Sequence, residues 1–152
     1  ASDLCLTIAD AMLYHFGVLT SAMHMVWVRQ VCERFKNDYR YSNNLVYNNF
    51  PWPENPTDAQ RERVESLAQA VLVARAEYPS STLADLYDPL TMPRSLLDAH
   101  RRLDAAVDRC YRTAPFTNEL NRLEFLFNLY RKYTQPLIGA TERPRRPRRR
   151  RA

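Results

Sequence analysis

Glycine is nearly missing from this chain: its 152 residues include only two, Gly17 and Gly139. Loops that cradle phosphates need several glycines at fixed spacing, so that the backbone can approach the ligand closely. The sequence therefore holds neither a P-loop nor a GxGxxG nucleotide fingerprint. Cysteine is scarce too. Cys5, Cys32 and Cys110 form an odd, scattered set, which argues against a disulfide framework and for a reducing compartment. Each sits among apolar neighbours and reads as a small buried hydrophobe. No CxxC or HExxH spacing occurs, so no metal site is expected. No run of 18 apolar residues exists, so no membrane span is expected. Asp3 stands where a signal peptide carries basic residues, and a cytoplasmic location is the expectation.

What is present is an ordinary globular composition, with 45% hydrophobic residues in a chain of one-domain length. The net charge of +5 is misleading. Seven arginines fall between Arg143 and Arg151 with no acid among them; the 22 basic and 17 acidic groups of the whole chain therefore leave 22 − 7 = 15 basic against 17 acidic in residues 1–142, a net of −2. The basicity is a tail. "RPRRPRRRR" should be disordered, because like charges repel and proline forbids helix.

The pattern predicts a mainly α protein of about five helices, with one or two short strands near the N-terminal third. "LCLTIA" (Leu4–Ala9) reads as a strand. Asp10 is the expected cap of a short helix stopping at Gly17. Ser21 caps a second helix to about Phe35, with Met23, Val26, Trp27, Val31 and Phe35 on one face. Thr57 and Gln60 form a capping box. Val64, Leu67, Ala68, Val71 and Leu72 continue that helix until Pro79. Pro93 suits the start of the next helix, whose inward stripe is Leu96, Leu97, His100, Leu103, Val107, Cys110 and Tyr111. Thr117 opens a last helix, with Leu120, Leu123, Phe127 and Tyr130 inward, and Pro136 closes it.

The histidines are His15, His24 and His100. His100 lies on an apolar stripe and reads as a core histidine. Ser21 and His24 can share a helical face, and Cys32 follows eight residues on, so a small hydrolase using Ser21, His24 or Cys32 is one reading of the sequence.

The most unusual stretch is "YRYSNNLVYNNFPWP", Tyr39 to Pro53. Three tyrosines, a tryptophan and a phenylalanine stand among four asparagines and two prolines. In one reading, Phe50, Pro51, Trp52 and Pro53 form a rigid strap that packs the preceding helix against the last ones. In the other, Lys36, Arg40, Tyr41, Asn43 and Asn44 face DNA: Lys and Arg pair with phosphates, and Asn bonds adenine edges in the major groove.

Residues Phe16 to Pro53, "FGVLTSAMHMVWVRQVCERFKNDYRYSNNLVYNNFPWP", closely resemble the end of the target-recognition domain of MmeI-like DNA methyltransferases, large bacterial restriction–modification proteins. The resemblance continues through "STLADLYDPLTMPRSLLDAHRRLDAAVDRCYR" and "RLEFLFNLYRKY", which look like that family's helical C-terminal region. It covers about Ser2 to Tyr133. The resemblance implies a full-length protein with an S-adenosylmethionine site and an Asn-Pro-Pro-Tyr-type methyl-transfer loop. Neither is in this sequence: in "NFPWP" Trp52 separates the prolines, and in "ENPTD" Thr57 replaces the second one.

The resemblance thus implies a C-terminal fragment of a DNA methyltransferase that contributes recognition and support, with DNA and the parent's methyltransferase domain as partners and no catalytic, cofactor or metal residue of its own. The expected division is residues 1–53 as the end of a recognition domain, 54–136 as a helical C-terminal domain and 137–152 as the arginine tail. The tail adds Arg145, Arg146, Arg148 and Arg149 to the DNA-contact candidates. A stand-alone helical interaction module, whose partner takes Trp27 or Trp52 and whose basic tail binds nucleic acid, is the alternative.

Overall fold

The computed structural model describes residues 7–35 and 38–139, with the backbone alone at 33–35, 38–40 and 136–139. Helix α1 (Leu13–Thr20) leads at once into α2 (Ala22–Val31). Ser21 joins them. Its backbone N–H donates to the Val18 carbonyl, closing α1, and its hydroxyl accepts from the His24 N–H, opening α2. Two three-residue strands follow, β1 (Glu33–Phe35) and β2 (Asp38–Arg40), paired antiparallel with Glu33 opposite Arg40. A single π-helical turn occupies Asn43–Tyr47. Then come α3 (Asp58–Ala76), a one-turn α4 (Leu83–Leu86), α5 (Arg94–Tyr111) and α6 (Glu119–Gly139).

Several elements depart from the sequence pattern. The described residues hold seven helices, six α and one π, rather than about five. The strand expected at Leu4–Ala9 is not seen: residues 4–6 lie outside the described residues, and 7–9 run into a turn at Asp10, whose φ of 52° is left-handed. The strand pairing sits instead where α2 was expected to continue, since α2 ends at Cys32 in extended backbone. Asp10 caps nothing, and Met12 precedes α1. Gly17 does not end that helix but lies buried inside it. A Cβ there would stand 2.7 Å from Val64 Cγ1, so the missing side chain is what lets α1 lie close on α3. Pro136 does not stop α6, which runs on to Gly139. Leu120 is exposed, and Leu126 takes the fully buried place on that helix.

The capping box at α3 forms as its sequence predicts. Thr57 Oγ1 accepts from the Gln60 N–H, and Gln60 Oε1 accepts from the Thr57 N–H at 2.9 Å. Behind it Val64, Leu67, Ala68 and Val71 are buried against α1 and α5. His100 sits half-buried, with Nε2 2.6 Å from the Tyr87 hydroxyl, which also takes the Arg75 Nε–H. The N-terminal helices and the later ones share one core. Trp27 of α2 packs its ring against Phe127 and Tyr130 of α6 at 5.5 and 5.7 Å, and Asp104 of α5 accepts the first N–H of α2, from Ala22, at 2.7 Å. A carboxylate at a helix N-terminus also meets the positive end of the helix dipole. Burial nevertheless pushes the Asp104 carboxyl up from its ordinary range, against the lowering effect of that hydrogen bond.

Candidate nucleic-acid interface

The asparagine-rich stretch folds as a platform tied from below. Ser42 caps the π turn, accepting from the Leu45 N–H, and its carbonyl takes the Val46 N–H at 2.8 Å. Val46 points inward and is fully buried. Its carbonyl accepts from Trp27 Nε1–H at 3.1 Å, which pins the turn to α2. Asn49 closes the other end, donating through Nδ2 to the carbonyls of Asn44 at 2.7 Å and Leu45 at 3.2 Å. Asn48 Nδ2 reaches Asn44 Oδ1 at 3.4 Å. What is left on the outer side is Asn43, Asn44, Leu45 and Asn48, all exposed. The Asn43 amide makes no side-chain hydrogen bond among the described residues, so both its donor and its acceptor are free for a ligand.

Tyr41 stands beside the turn, 38% exposed, and its hydroxyl meets His24 Nε2 at 3.0 Å. Burial pushes the Tyr41 phenol up to about 12, with Tyr47 and Cys32 adding to the shift. Burial also pulls His24 down to about 4, so both groups are neutral near pH 7. Of the two ring nitrogens of His24, Nδ1 is buried without a partner. A cavity of about 500 Å³ opens between α2 and the turn, lined by Leu19, His24, Met25, Val28, Tyr41 and Tyr47.

Beneath the platform runs the strap. Phe50 is buried edge-on against His24 at 4.5 Å. Trp52 is half-buried between His15, Tyr47 and Phe50. The Pro51 carbonyl accepts from the Tyr111 hydroxyl of α5 at 2.9 Å, and the Trp52 carbonyl from Tyr133 of α6 at 3.4 Å. The strap thus ties the platform to the last helices through its backbone.

Of the residues singled out in the sequence, the structure brings Tyr41, Asn43 and Asn44 to one surface. Arg40 is placed by backbone only, in β2. Lys36, Arg145, Arg146, Arg148 and Arg149 lie outside the described residues, as do Cys5 and the arginine tail. Sequence reasoning passed over Ser42, Asn48 and Asn49, although Asn44 and Asn48 stand at the i, i+4 spacing that places side chains together. The hydrolase reading loses Ser21 as a nucleophile and the pairing of Ser21 with His24. Ser21 is fully buried, its hydroxyl donating to the Val18 carbonyl at 2.6 Å, and His24 faces Tyr41. The interaction-module reading loses its anchors, because Trp27 is buried and Trp52 is occupied by three rings. Among the described residues no group of three or more His, Cys, Asp or Glu is placed to hold a metal, and no helix is long and apolar enough to cross a membrane.

Comparison with known proteins decides what this platform belongs to. Residues 1–54 match the model of the MmeI target recognition domain, and residues 56–138 match that of the MmeI C-terminal domain. The chain belongs to the MmeI family. It is similar to DNA methyltransferase A of Bacillus subtilis (strain 168), at 46% identity over 134 residues, which cover 88% of this chain and 15% of that protein. It is also similar to a solved structure of the Type IIL restriction–modification enzyme MmeI in complex with DNA. There the identity is 47% and the TM-score 0.79, covering 83% of this chain and 17% of the other. The chain therefore spans less than a fifth of the length of these two relatives.

The cavity beside the asparagine turn does not fit the S-adenosylmethionine that the methyltransferase relative implies. Gly17 is spent on helix packing, and the cavity beside His24 has no carboxylate in its lining to hold ribose hydroxyls. The asparagine turn lies within the stretch that matches the recognition domain.

Proposed function

We propose that this chain supplies the DNA-reading end and the helical support of a DNA methyltransferase of the restriction–modification type, and carries no methyl-transfer chemistry itself. The observation that carries the reading is the free Asn43 amide on an exposed turn whose backbone is locked to the core by Trp27. An asparagine held in this way reads adenine through its N6 and N7 edge, and a rigid support reduces the ordering that binding must impose. Tyr41, Asn43 and Asn44 are the base-side candidates. Lys36, Arg40 and the tail arginines are phosphate-side candidates, which position the protein without reading sequence.

S-adenosylmethionine and the transferred methyl group belong, in this reading, to a methyltransferase domain of the kind named in the Bacillus relative. The division at residues 53 and 136 is part of the same proposal. α1 and α2 pack into the core of the later helices, so the recognition end is held by the C-terminal helices rather than hinged on them.

The test is a photo-crosslinker. Leu45 is 47% exposed at the centre of the turn. A benzophenone side chain at position 45 should crosslink to duplex DNA, and one at exposed Leu83 on α4 should not. Equal crosslinking from both positions, or none from 45, would overturn the reading.

A further inference from the structure

The surface arginines of this fold are mostly spoken for. Arg29 pairs with Glu119, Arg94 and Arg101 with Asp98, and Arg122 with Asp108. Three are not. Arg63 of α3 and Arg102 and Arg109 of α5 line one groove of about 350 Å³, and none of them forms an ion pair among the described residues. No acidic residue lines that groove. Its walls are low, built from Ala59, Ala105 and Ala106. Its width is fixed by Gln60, which donates through Nε2 to the Arg109 carbonyl at 2.8 Å and so holds α3 to α5.

The acids on the neighbouring face of α5 are engaged elsewhere. Asp108 receives Arg122 through two contacts, at 3.0 and 2.7 Å, and Asp104 holds the Ala22 N–H. They leave the guanidiniums of the groove without a carboxylate partner; Arg102 Nε–H donates only to the Asp98 carbonyl, at 3.2 Å.

We infer that the α3–α5 groove is a second DNA-contact surface, which grips the phosphate backbone of one strand. Guanidinium suits phosphate, giving paired charge-assisted hydrogen bonds. Arg102 and Arg109 are seven residues apart, so they stand on one face about 10.5 Å apart along the helix axis. Measured along the duplex axis, that equals about three base-pair steps at about 3.4 Å of rise each. An acidic protein is the weaker occupant. The groove offers no aromatic or exposed apolar anchor, and Leu67 in its floor is buried, whereas protein interfaces are centred on such anchors.

The inference rests on the reading that this chain meets DNA. The experiment is a salt titration of the full chain against a labelled duplex of mixed sequence, for the wild type, Arg63→Gln/Arg102→Gln/Arg109→Gln, and the control Arg94→Gln/Arg101→Gln. Each engaged phosphate contributes about −0.9 to the slope of log affinity against log salt. The triple variant should flatten the slope by up to 3 × 0.9, about 2.7 units, with an unchanged thermal melt. The control, whose arginines are already paired, should leave it alone. A wild type that does not bind duplex overturns the functional reading and the groove together. A wild type that binds, with an equal slope in the folded triple variant, overturns the groove alone, even if an acidic protein then proves to occupy it.

Discussion

Trp27 Nε1–H donates to the Val46 carbonyl across 3.1 Å, joining two residues 19 apart inside the core. That bond is how a buried helix dictates the shape of an exposed turn. Trp27→Phe keeps a ring but leaves the carbonyl without its donor. A buried acceptor left unpaired costs about 1–3 kcal/mol. The loss should fall locally, so amide exchange at Leu45 and Val46 should accelerate more than exchange in α3. Uniform acceleration, or none, would contradict the pinning role.

Gly17 makes the contact between α1 and α3. Alanine is favoured over glycine in a helix by up to about 1 kcal/mol. Here its Cβ would meet Val64 Cγ1 at 2.7 Å and Ala68 Cβ at 3.3 Å. Val64 is β-branched and stiff, so overpacking, typically about 1–3 kcal/mol, should win. Gly17→Ala should lower the melting temperature. The same change in a Val64→Ala background should lower it less, and an equal loss in both backgrounds would refute the steric account.

His24 gives the fold an acid-sensitive point. Its folded value of about 4 lies below the ordinary 6.5, because burial disfavours the charged ring. The fold therefore holds it neutral. Stability is full above pH 6.5 and is lost as pH falls through the window towards 4, by at most about 3 kcal/mol. His100 is also pulled down, by burial and then by Arg75, and acts in the same direction. Melting curves between pH 7 and pH 4 should show the loss, and His24→Phe should shrink it and leave the part due to His100. A His24→Phe profile as steep as the wild type would locate the acid sensitivity elsewhere.

Much of this fold can be read from its sequence, for identifiable reasons. The Thr57–Gln60 box and the stripe from Val64 to Val71 are local signals, and local geometry obeys them. Pro93 marks the start of α5 for the same reason. The end of α2 carries no such mark. Nothing in "VCERFKNDYR" breaks a helix, and the hairpin that pairs Glu33 with Arg40 has no glycine or proline to mark its turn. As a sequence signal Gly17 points to a helix end, because glycine favours left-handed backbone, but its use here is close approach to a helix some fifty residues away. At the candidate site the residue types were legible and the support was not. Tyr41, Asn43 and Asn44 stood out by composition. The bonds from His24 and Trp27 that hold them depend on tertiary packing.

The arginine tail should bind DNA without reading it. Seven arginines lie between Arg143 and Arg151. If all engage phosphates, deleting 143–151 should flatten the salt slope by roughly six units, and proportionally less for partial engagement. Sequence preference should survive, since phosphate contacts carry no base information. An unchanged slope would mark the tail as a passive terminus.

The most direct measurement is sequence selection from a pool of randomised duplexes, made with the intact protein and with Asn43→Ala and Asn44→Ala. A bidentate asparagine–adenine contact discriminates by about 1–3 kcal/mol, roughly 5- to 150-fold at one base pair. Each substitution should relax selection at one position, leave the others intact and keep the salt slope. An identical selected sequence from both variants and the wild type would contradict the assignment of the asparagine turn as a reading surface.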